Sequence, residues 1–382
     1  MKQLLNEHTV VMKKRIAVIP GDGIGPEVIK QTLAVLDAVA ERYGHEFEYD
    51  HCLMGACAID ATGAPLPEET LQTCRDADAI LLGAIGDPKY DNDPAAKVRP
   101  EQGLLQLRKS LELYANIRPV SIYKSLAHLS PLKESKLRHV DFVIFRELTG
   151  GIYFGKKETD EQQTTATDIC TYTRSEIERI TRLAFSHAAK RKNKLLLVDK
   201  ANVLATSRLW RHTVQQVARE YASVQVDYMF VDNAAMQLIL NARQFDVILT
   251  ENMFGDILSD EASVLCSSLG LLPSASIGTH TALFEPVHGS YPQAAGKDIA
   301  NPVGAILSAA MMLDYFEMRS EATAIREAVA WAIDAGYVTR DLTEMHAYST
   351  SYVGNVIANY LQNLEETPSA LKNALLGQST II

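Results

Sequence analysis

Apolar residues along the chain switch between two periods. Short runs rich in branched aliphatics recur at 16–20, 79–85, 142–145, 195–198, 224–231 and 247–250, each the length of one buried strand. Between them the spacing turns helical. Ile29, Leu33, Leu36 and Ala40 stand four, three and four residues apart, which is one helix face, and 175–191 reads as a further helix. Strands alternating with helices predict α/β layers around a mainly parallel sheet. With 382 residues the chain exceeds what one hydrophobic core usually serves. No repeat, low-complexity tract or Pro/Gly/Ser linker divides it, so two interleaved domains are expected. The polar, Thr-rich stretch 156–172 reads as a solvent loop or as an arm reaching a partner subunit.

Composition narrows the class. A formal charge of −10 disfavours a nucleic-acid binder, which needs a cationic face. Cys52, Cys57, Cys74, Cys170 and Cys266 are scattered and form no C-x-x-C pair, which fits free thiols in a reducing compartment. No apolar run approaches the roughly 18 residues of a membrane helix. The polar start, MKQLLNEHTVVMKK, lacks a signal-peptide core, and residues 1–13 read as a loose extension. A cytoplasmic protein without membrane or nucleic-acid partners is the expectation.

Three stretches carry candidate chemistry. GDGIGPE at 21–27 follows a strand and precedes a helix, but Pro26 stands where a dinucleotide fingerprint needs its third glycine, and no GK[ST] follows. It reads either as a tight turn with Pro26 in the first helical turn or as a loop touching a ligand. NMFGDILSDEAS at 252–263 places Asp256 and Asp260 on one helix face. Two adjacent anions either point into water or share a cation. Asp232 ends another strand. Three carboxylates without nearby His or Cys form an oxygen donor set suited to Mg²⁺ or Mn²⁺. In RPEQGLLQLR, Glu101, Leu104, Leu105 and Arg108 share a helix face that carries both charges, unlike a plain core face. Arg118 and Arg146 lie at other element ends. Each arginine alone suits a surface ion pair; together they suit a dicarboxylate, because guanidinium forks grip carboxylates bidentately.

In order along nearly the whole chain, GDGIGPEV, RPEQGLLQLR, ANIRP, RELTGGIYFG, VDKANVL, NMFGDILSDEAS, SLGLLPSAS, FEPVHGS and GKDIANP resemble the metal-dependent β-decarboxylating dehydrogenases. The loop GGIYFG after Arg146 resembles the isopropylmalate branch rather than the isocitrate branch. The resemblance implies an isopropylmalate/isocitrate dehydrogenase-like α/β fold that is not a Rossmann fold. Its larger cofactor domain would span 1–113 and 267–382. The smaller, 114–266, would carry the dimer interface and the arm. The implied reaction is oxidative decarboxylation of (2R,3S)-3-isopropylmalate with NAD⁺, in leucine biosynthesis.

The resemblance also implies roles. Arg108, Arg118 and Arg146 would clamp the substrate carboxylates, with Glu101, Leu104 and Leu105 on the substrate side and the two leucines at its isopropyl group. Asp232, Asp256 and Asp260 would bind the metal. Tyr153 and Lys200 would be the acid–base pair, and Asn202 would lie near the nicotinamide. Lys200 and Asp232 would reach the site from the neighbouring subunit of a homodimer. Glu285, His288, Gly289, Ser290, Tyr291, Pro292, Gln293, Ala294, Asp298, Ile299 and Asn301 would surround the adenosine end of NAD. The chain departs from the family at Tyr291-Pro292-Gln293-Ala294, where NAD-dependent members read Ala-Pro-Asp-Ile. Gln293 can hydrogen-bond to ribose but does not repel a 2′-phosphate. No Lys-Tyr pair of the NADP type is present, so NAD remains the expectation. Alternatives are a related 2-hydroxy diacid (isocitrate, homoisocitrate, malate or tartrate) and a non-catalytic regulatory subunit. The second conflicts with the presence of Tyr153, Lys200 and all three aspartates.

Overall fold

The computed structural model describes residues 11–91 and 98–362. Most of the expected extension, 1–10, lies outside the described residues; Lys13 already opens the first strand. The chain divides into two compact units, 1–107 with 281–378 and, between them in sequence, essentially 108–280.

The first unit begins with β1 (Lys13–Gly21), α1 (Gly25–Tyr43), β2 (Glu46–His51), α2 (Ala56–Thr62), α3 (Glu68–Asp76), β3 (Ala79–Ala84), α4 (Pro88–Asp91) and α5 (Pro100–Ser110), whose last residues belong to the second unit. Helix α1 carries Pro26, whose fixed φ suits the first turn, as its second residue and stops at Gly44 in the left-handed region. Its buried stripe is Val28, Thr32, Val35 and Val39, flanked by Ile29 and Leu36. Leu33 and Ala40, expected on that face, are only half-buried. The stripe is rotated because α1 packs against three further helices of its unit as well as against the sheet.

The second unit contains β4 (Ala115–Ser121), α6 (Glu134–Leu137), β5 (Asp141–Glu147), the hairpin β6 (Lys157–Thr159) and β7 (Ala166–Asp168), α7 (Arg174–Ala189), β8 (Lys194–Asp199), α8 (Ala205–Ala218), β9 (Gln225–Phe230), α9 (Val231–Asn241), β10 (Val247–Thr250), α10 (Asn252–Ser263) and β11 (Pro273–Ile277). The chain then returns to the first unit with β12 (Ala282–Pro286), α11 (Val303–Tyr315), α12 (Arg319–Asp334) and α13 (Thr350–Gln362).

In the first unit the strands run β2-β1-β3-β12, and the described pairs are parallel. All of β3 is buried. Helix α11 is buried on every side, the pattern of a central core helix. In the second unit the order is β11-β4-β5-β10-β8-β9. Here β4 is antiparallel to both β11 and β5, whereas β5, β10, β8 and β9 pair in parallel. Strands β5, β8 and β10 stop at Glu147, Asp199 and Thr250, which positions the turns that follow them. The stretch 156–172 holds the β6–β7 hairpin, exposed along both strands. No helix among the described residues is long and apolar enough to cross a membrane, and all five cysteines are free.

One buried group sets an acid limit on stability. Burial, with Arg191 and Lys190 nearby, lowers the imidazole of His187 from 6.5 to about 4. The folded chain therefore binds fewer protons than the unfolded chain between those values. Stability should rise with pH across that window and fall as pH drops from about 6.5 toward about 4, by up to about 3 kcal/mol. His187→Gln should flatten that limb of a Tm–pH curve; an unchanged curve would remove His187 as its source.

Candidate active site

Strand β10 is wholly buried and delivers the chain to Glu251, which caps α10 by accepting from the Phe254 amide at 2.8 Å. The cap fixes the start of α10, so Asp256 and Asp260 stand one turn apart. Arg146, only 6 % exposed, lies beside Thr250 in the parallel register of β5 and β10. Its Nη1 donates to Asp256 Oδ1, and its Nε donates to Asn252 Oδ1 at 3.0 Å. The phenol of Tyr153 donates to the other Asp256 oxygen at 2.9 Å, and the ring lies 5.9 Å from the Arg146 guanidinium. On β4, Arg118 donates to Asp260 at 3.0 Å, to Ser259 Oγ at 2.7 Å and to Asn116 Oδ1 at 2.9 Å.

The electrostatics favour an anionic ligand. Burial lowers the Arg146 guanidinium to about 10; Asp256 opposes this, while Arg118 and Arg108 add to it. Three guanidinium groups thus repel one another in one place, and a dianion between them would relieve that repulsion. Burial and the Asp256 hydrogen bond both raise the Tyr153 phenol, so it is a stable proton donor.

Lys200 and Asp232 form a separate pair. Lys200 follows β8, and its Nζ donates to Asp232 Oδ1, in the first turn of α9, at 2.6 Å. The Lys200 ammonium holds the Asp232 carboxyl below the usual range. Among the described residues no group of three or more His, Cys, Asp or Glu could hold a metal ion. The chain alone places Asp256 and Asp260 on α10 and leaves Asp232 with Lys200. The donor chemistry nevertheless suits a hard divalent cation. Only oxygens are offered, Asp260 and Asp232 side chains are 67 % and 63 % exposed, and each carboxylate now leans on a cation that a metal could replace. Asn202 is exposed in the turn after Lys200.

The expected cofactor residues lie in the first unit. Glu285 is the penultimate residue of β12, and His288 to Ala294 lie in the segment after it. The glycine-rich loop grips this segment. Ile24 donates to the Ser290 carbonyl at 2.8 Å, and a Cβ on Gly23, whose φ is +58°, would fall 2.0 Å from that oxygen. The buried Asp22 carboxylate accepts from the amides of Ala56, Cys57 and Gly86. GDGIGPE is thus a clamp, with no room for a side chain at Gly23. Burial lowers the His288 imidazole, favouring its neutral form. Nδ1 meets the Gly289 carbonyl at 2.9 Å, and Nε2 is buried without a hydrogen-bond partner among the described residues, which suits an acceptor for a ligand hydroxyl or amine. Tyr291 and Gln293 are exposed, Pro292 is half-buried, and Ala294 is buried. Ile299 is exposed. The side chains of Asp298 and Asn301 are engaged within the chain, Asp298 by Ser351 and Asn301 by Asp341 and the Val303 amide. Glu101 and Leu105 are exposed on α5, and Leu104 is half-buried.

Periodicity did not single out Asn252, Ser259, Tyr172 or Asp22. Each is a buried or half-buried polar residue whose partners are distant in sequence. The one local signal was a polar residue at the first position of a helix that follows a buried strand.

The model of the isocitrate/isopropylmalate dehydrogenase family matches residues 15–357. A Bacteroides fragilis protein named 3-isopropylmalate dehydrogenase is 52 % identical over 92 % of this chain and 99 % of its own length. One of the same name from Bacillus licheniformis is 55 % identical over 91 % and 96 %. The solved isocitrate dehydrogenase of Methylococcus capsulatus superposes with a TM-score of 0.81 at 34 % identity, covering 91 % of this chain and 99 % of that one. With the family's motifs standing at the ends of its buried strands, and a family match across both of its units, the chain belongs to the isocitrate/isopropylmalate dehydrogenases.

Proposed function

We propose that the chain catalyses the oxidative decarboxylation of (2R,3S)-3-isopropylmalate to 4-methyl-2-oxopentanoate and CO₂ with reduction of NAD⁺, a cytoplasmic step of leucine biosynthesis. The observation that carries this reading is the meeting of Arg146 and Tyr153 on Asp256, beside Arg118 on Asp260, in a chain whose relatives bear that enzyme's name.

Arg108, Arg118 and Arg146 bind the two substrate carboxylates. A guanidinium has five N–H donors, enough to hold an aspartate and a substrate carboxylate together. Lys200, once its ammonium has given up a proton to become the neutral amine, takes the proton of the 2-hydroxyl at Nζ as hydride leaves C2 for the nicotinamide. The 2-oxo acid then loses its C3 carboxylate as CO₂, and Tyr153 delivers its phenolic proton to C3. Asp232, Asp256 and Asp260 would hold Mg²⁺ or Mn²⁺, and 285–301 with Asn202 would hold NAD⁺. When bound, these supply a Lewis acid for the substrate oxygens and a hydride acceptor. Leu104 and Leu105 present apolar surface for the isopropyl group.

Lys200 and Asp232 serve the site of a second copy, so the enzyme works as a homodimer. Helices α9 and α10 pack on each other and expose Met236 (55 %), Leu240 (53 %) and Ile257 (58 %), with Val264 (45 %) just beyond α10. Exposed apolar side chains gathered on two packed helices suit an interface.

NADH formation from a panel of 2-hydroxy diacids tests the reading. 3-Isopropylmalate should exceed malate in kcat/KM by ~10²-fold or more, because each buried methylene contributes to discrimination. NAD⁺ should be preferred, with measurable use of NADP⁺, since Gln293 offers no negative charge against a 2′-phosphate. Equal turnover of isocitrate would overturn the substrate assignment.

A further inference from the structure

Beneath the Arg146–Asp256–Tyr153 cluster lies a polar network that none of the assigned roles explains. Asn252 is 1 % exposed, and each of its polar groups has a partner. Its Oδ1 accepts from Arg146 Nε at 3.0 Å, and its Nδ2 donates to the Gly150 carbonyl at 3.2 Å. Its amide donates to the Tyr172 hydroxyl at 3.0 Å, which in turn donates to Glu251 Oε2 at 3.1 Å. The Tyr172 ring lies against the backbone of the loop that carries Tyr153. A Cβ on Gly151 would sit 2.3 Å from the phenolic oxygen, and one on Gly150 would sit 2.7 Å from the ring. The loop is also pinned by the buried Glu147 carboxylate, which accepts from the Thr149 and Gly150 amides at 3.0 and 2.7 Å.

Asn252 thus touches both Arg146 and the loop that carries Tyr153, beneath the point where both side chains meet Asp256. Through Oδ1 it orients Arg146, whose Nη1 donates to Asp256. Through Nδ2 it holds the turn that leads to Tyr153, whose hydroxyl meets the same aspartate. An arginine with one anchor could swing about its long stem, and a glycine-rich turn held from one side could slide. A shared amide couples the two positions, because a shift of either strains the other.

We propose that Asn252, steadied by Tyr172, is a positioning residue that holds Arg146 and the Tyr153 loop in one register. The inference rests on the proposed reaction for its kinetic consequence, and on the hydrogen-bond geometry alone for its structural one. An amide is suited to the task because it offers one acceptor and one donor in a plane. A leucine of similar size offers neither, and an aspartate keeps the acceptor but loses the donor.

Full-length Asn252→Asp and Asn252→Leu test it, with 3-isopropylmalate kinetics and amide hydrogen exchange as readouts. In Asn252→Asp, KM should stay within about threefold of the parent while kcat falls ~10-fold or more, since a small misplacement near the chemistry is expensive in rate. In Asn252→Leu, KM should also rise ~10-fold as Arg146 loses its anchor. Exchange in 148–155 should quicken in both variants, with helix α10 unchanged. Tyr172→Phe, which keeps the ring and removes the hydroxyl, should reproduce the Asn252→Asp pattern more weakly, and it stands in if the leucine variant does not fold. Identical KM changes in the two Asn252 variants, or faster exchange throughout α10 with kinetics unmoved, would show a merely structural role and overturn the proposal. Should the parent protein not turn over 3-isopropylmalate at all, the proposed reaction fails, and exchange in 148–155 alone still decides whether Asn252 holds the loop.

Discussion

A mixture of Lys200→Ala and Tyr153→Phe proteins should recover activity that neither has alone. Each variant by itself should lose about 10²–10⁴-fold in kcat, the usual contribution of one positioned acid or base. The reason for recovery is ownership. Lys200 pairs with Asp232 at 2.6 Å, whereas Tyr153 pairs with Asp256, and the chain does not gather the three aspartates into one metal-sized group. If Lys200 serves the neighbouring copy, a heterodimer of the two variants contains one site with both wild-type groups and one with neither. Random exchange at equal amounts makes half the dimers mixed, so activity should approach about a quarter of the parent value. The proteins are mixed under mild denaturation, refolded and assayed for NADH. No recovery, with mixed dimers demonstrated by mass spectrometry, would mean that Lys200 acts in its own chain's site. Calorimetric NAD⁺ affinity should be unchanged in Lys200→Ala, which separates loss of chemistry from loss of binding.

The second large effect concerns the metal. Exhaustive chelation should reduce turnover by ~10²-fold or more, as a Lewis acid supplies several kcal/mol of charge stabilisation in such a step. Mg²⁺ or Mn²⁺ should restore it. Asp260→Asn should raise the Mg²⁺ concentration needed for half activity while leaving the fold intact, because the Asp260 side chain is 67 % exposed and its ion pair with Arg118 is worth little at a surface. Full activity after chelation would refute the metal assignment, whatever the fate of the substrate assignment.

Much of the fold was legible in the linear pattern. The strands expected at 16–20, 142–145 and 247–250 fall inside β1, β5 and β10, and that at 79–85 overruns β3 by one residue, because each is buried on both faces and therefore reads as a continuous apolar run. β2 escaped notice. Its sequence EFEYDH is half polar, and it pairs with β1 alone at one end of the sheet, where charged side chains meet water. β11, PSASI, escaped for another reason: its small residues carry little hydrophobic signal although all five are buried. The face of α1 was read one position off, since periodicity identifies a helix but not how broadly its neighbours cover it.

The candidate site was legible as a set of residue types in recognisable runs. Asp256 and Asp260 share a helix face because they are four apart, and that relation is local. The alternation of strands and helices, the one-turn spacing of those aspartates and the motif order that marks the family are all written in the linear chain. Which side chains meet is a matter of packing. Arg146 reaches Asp256 across 110 positions, Arg118 reaches Asp260 across 142, and Lys200 takes Asp232 away from the other two carboxylates. Packing also made Asn252 the joint between Arg146 and the Tyr153 loop. The physical reason is one of range. Helix and strand periods arise from neighbouring backbone geometry, whereas an ion pair or a buried amide gains its strength from distance and desolvation, which depend on how remote segments pack.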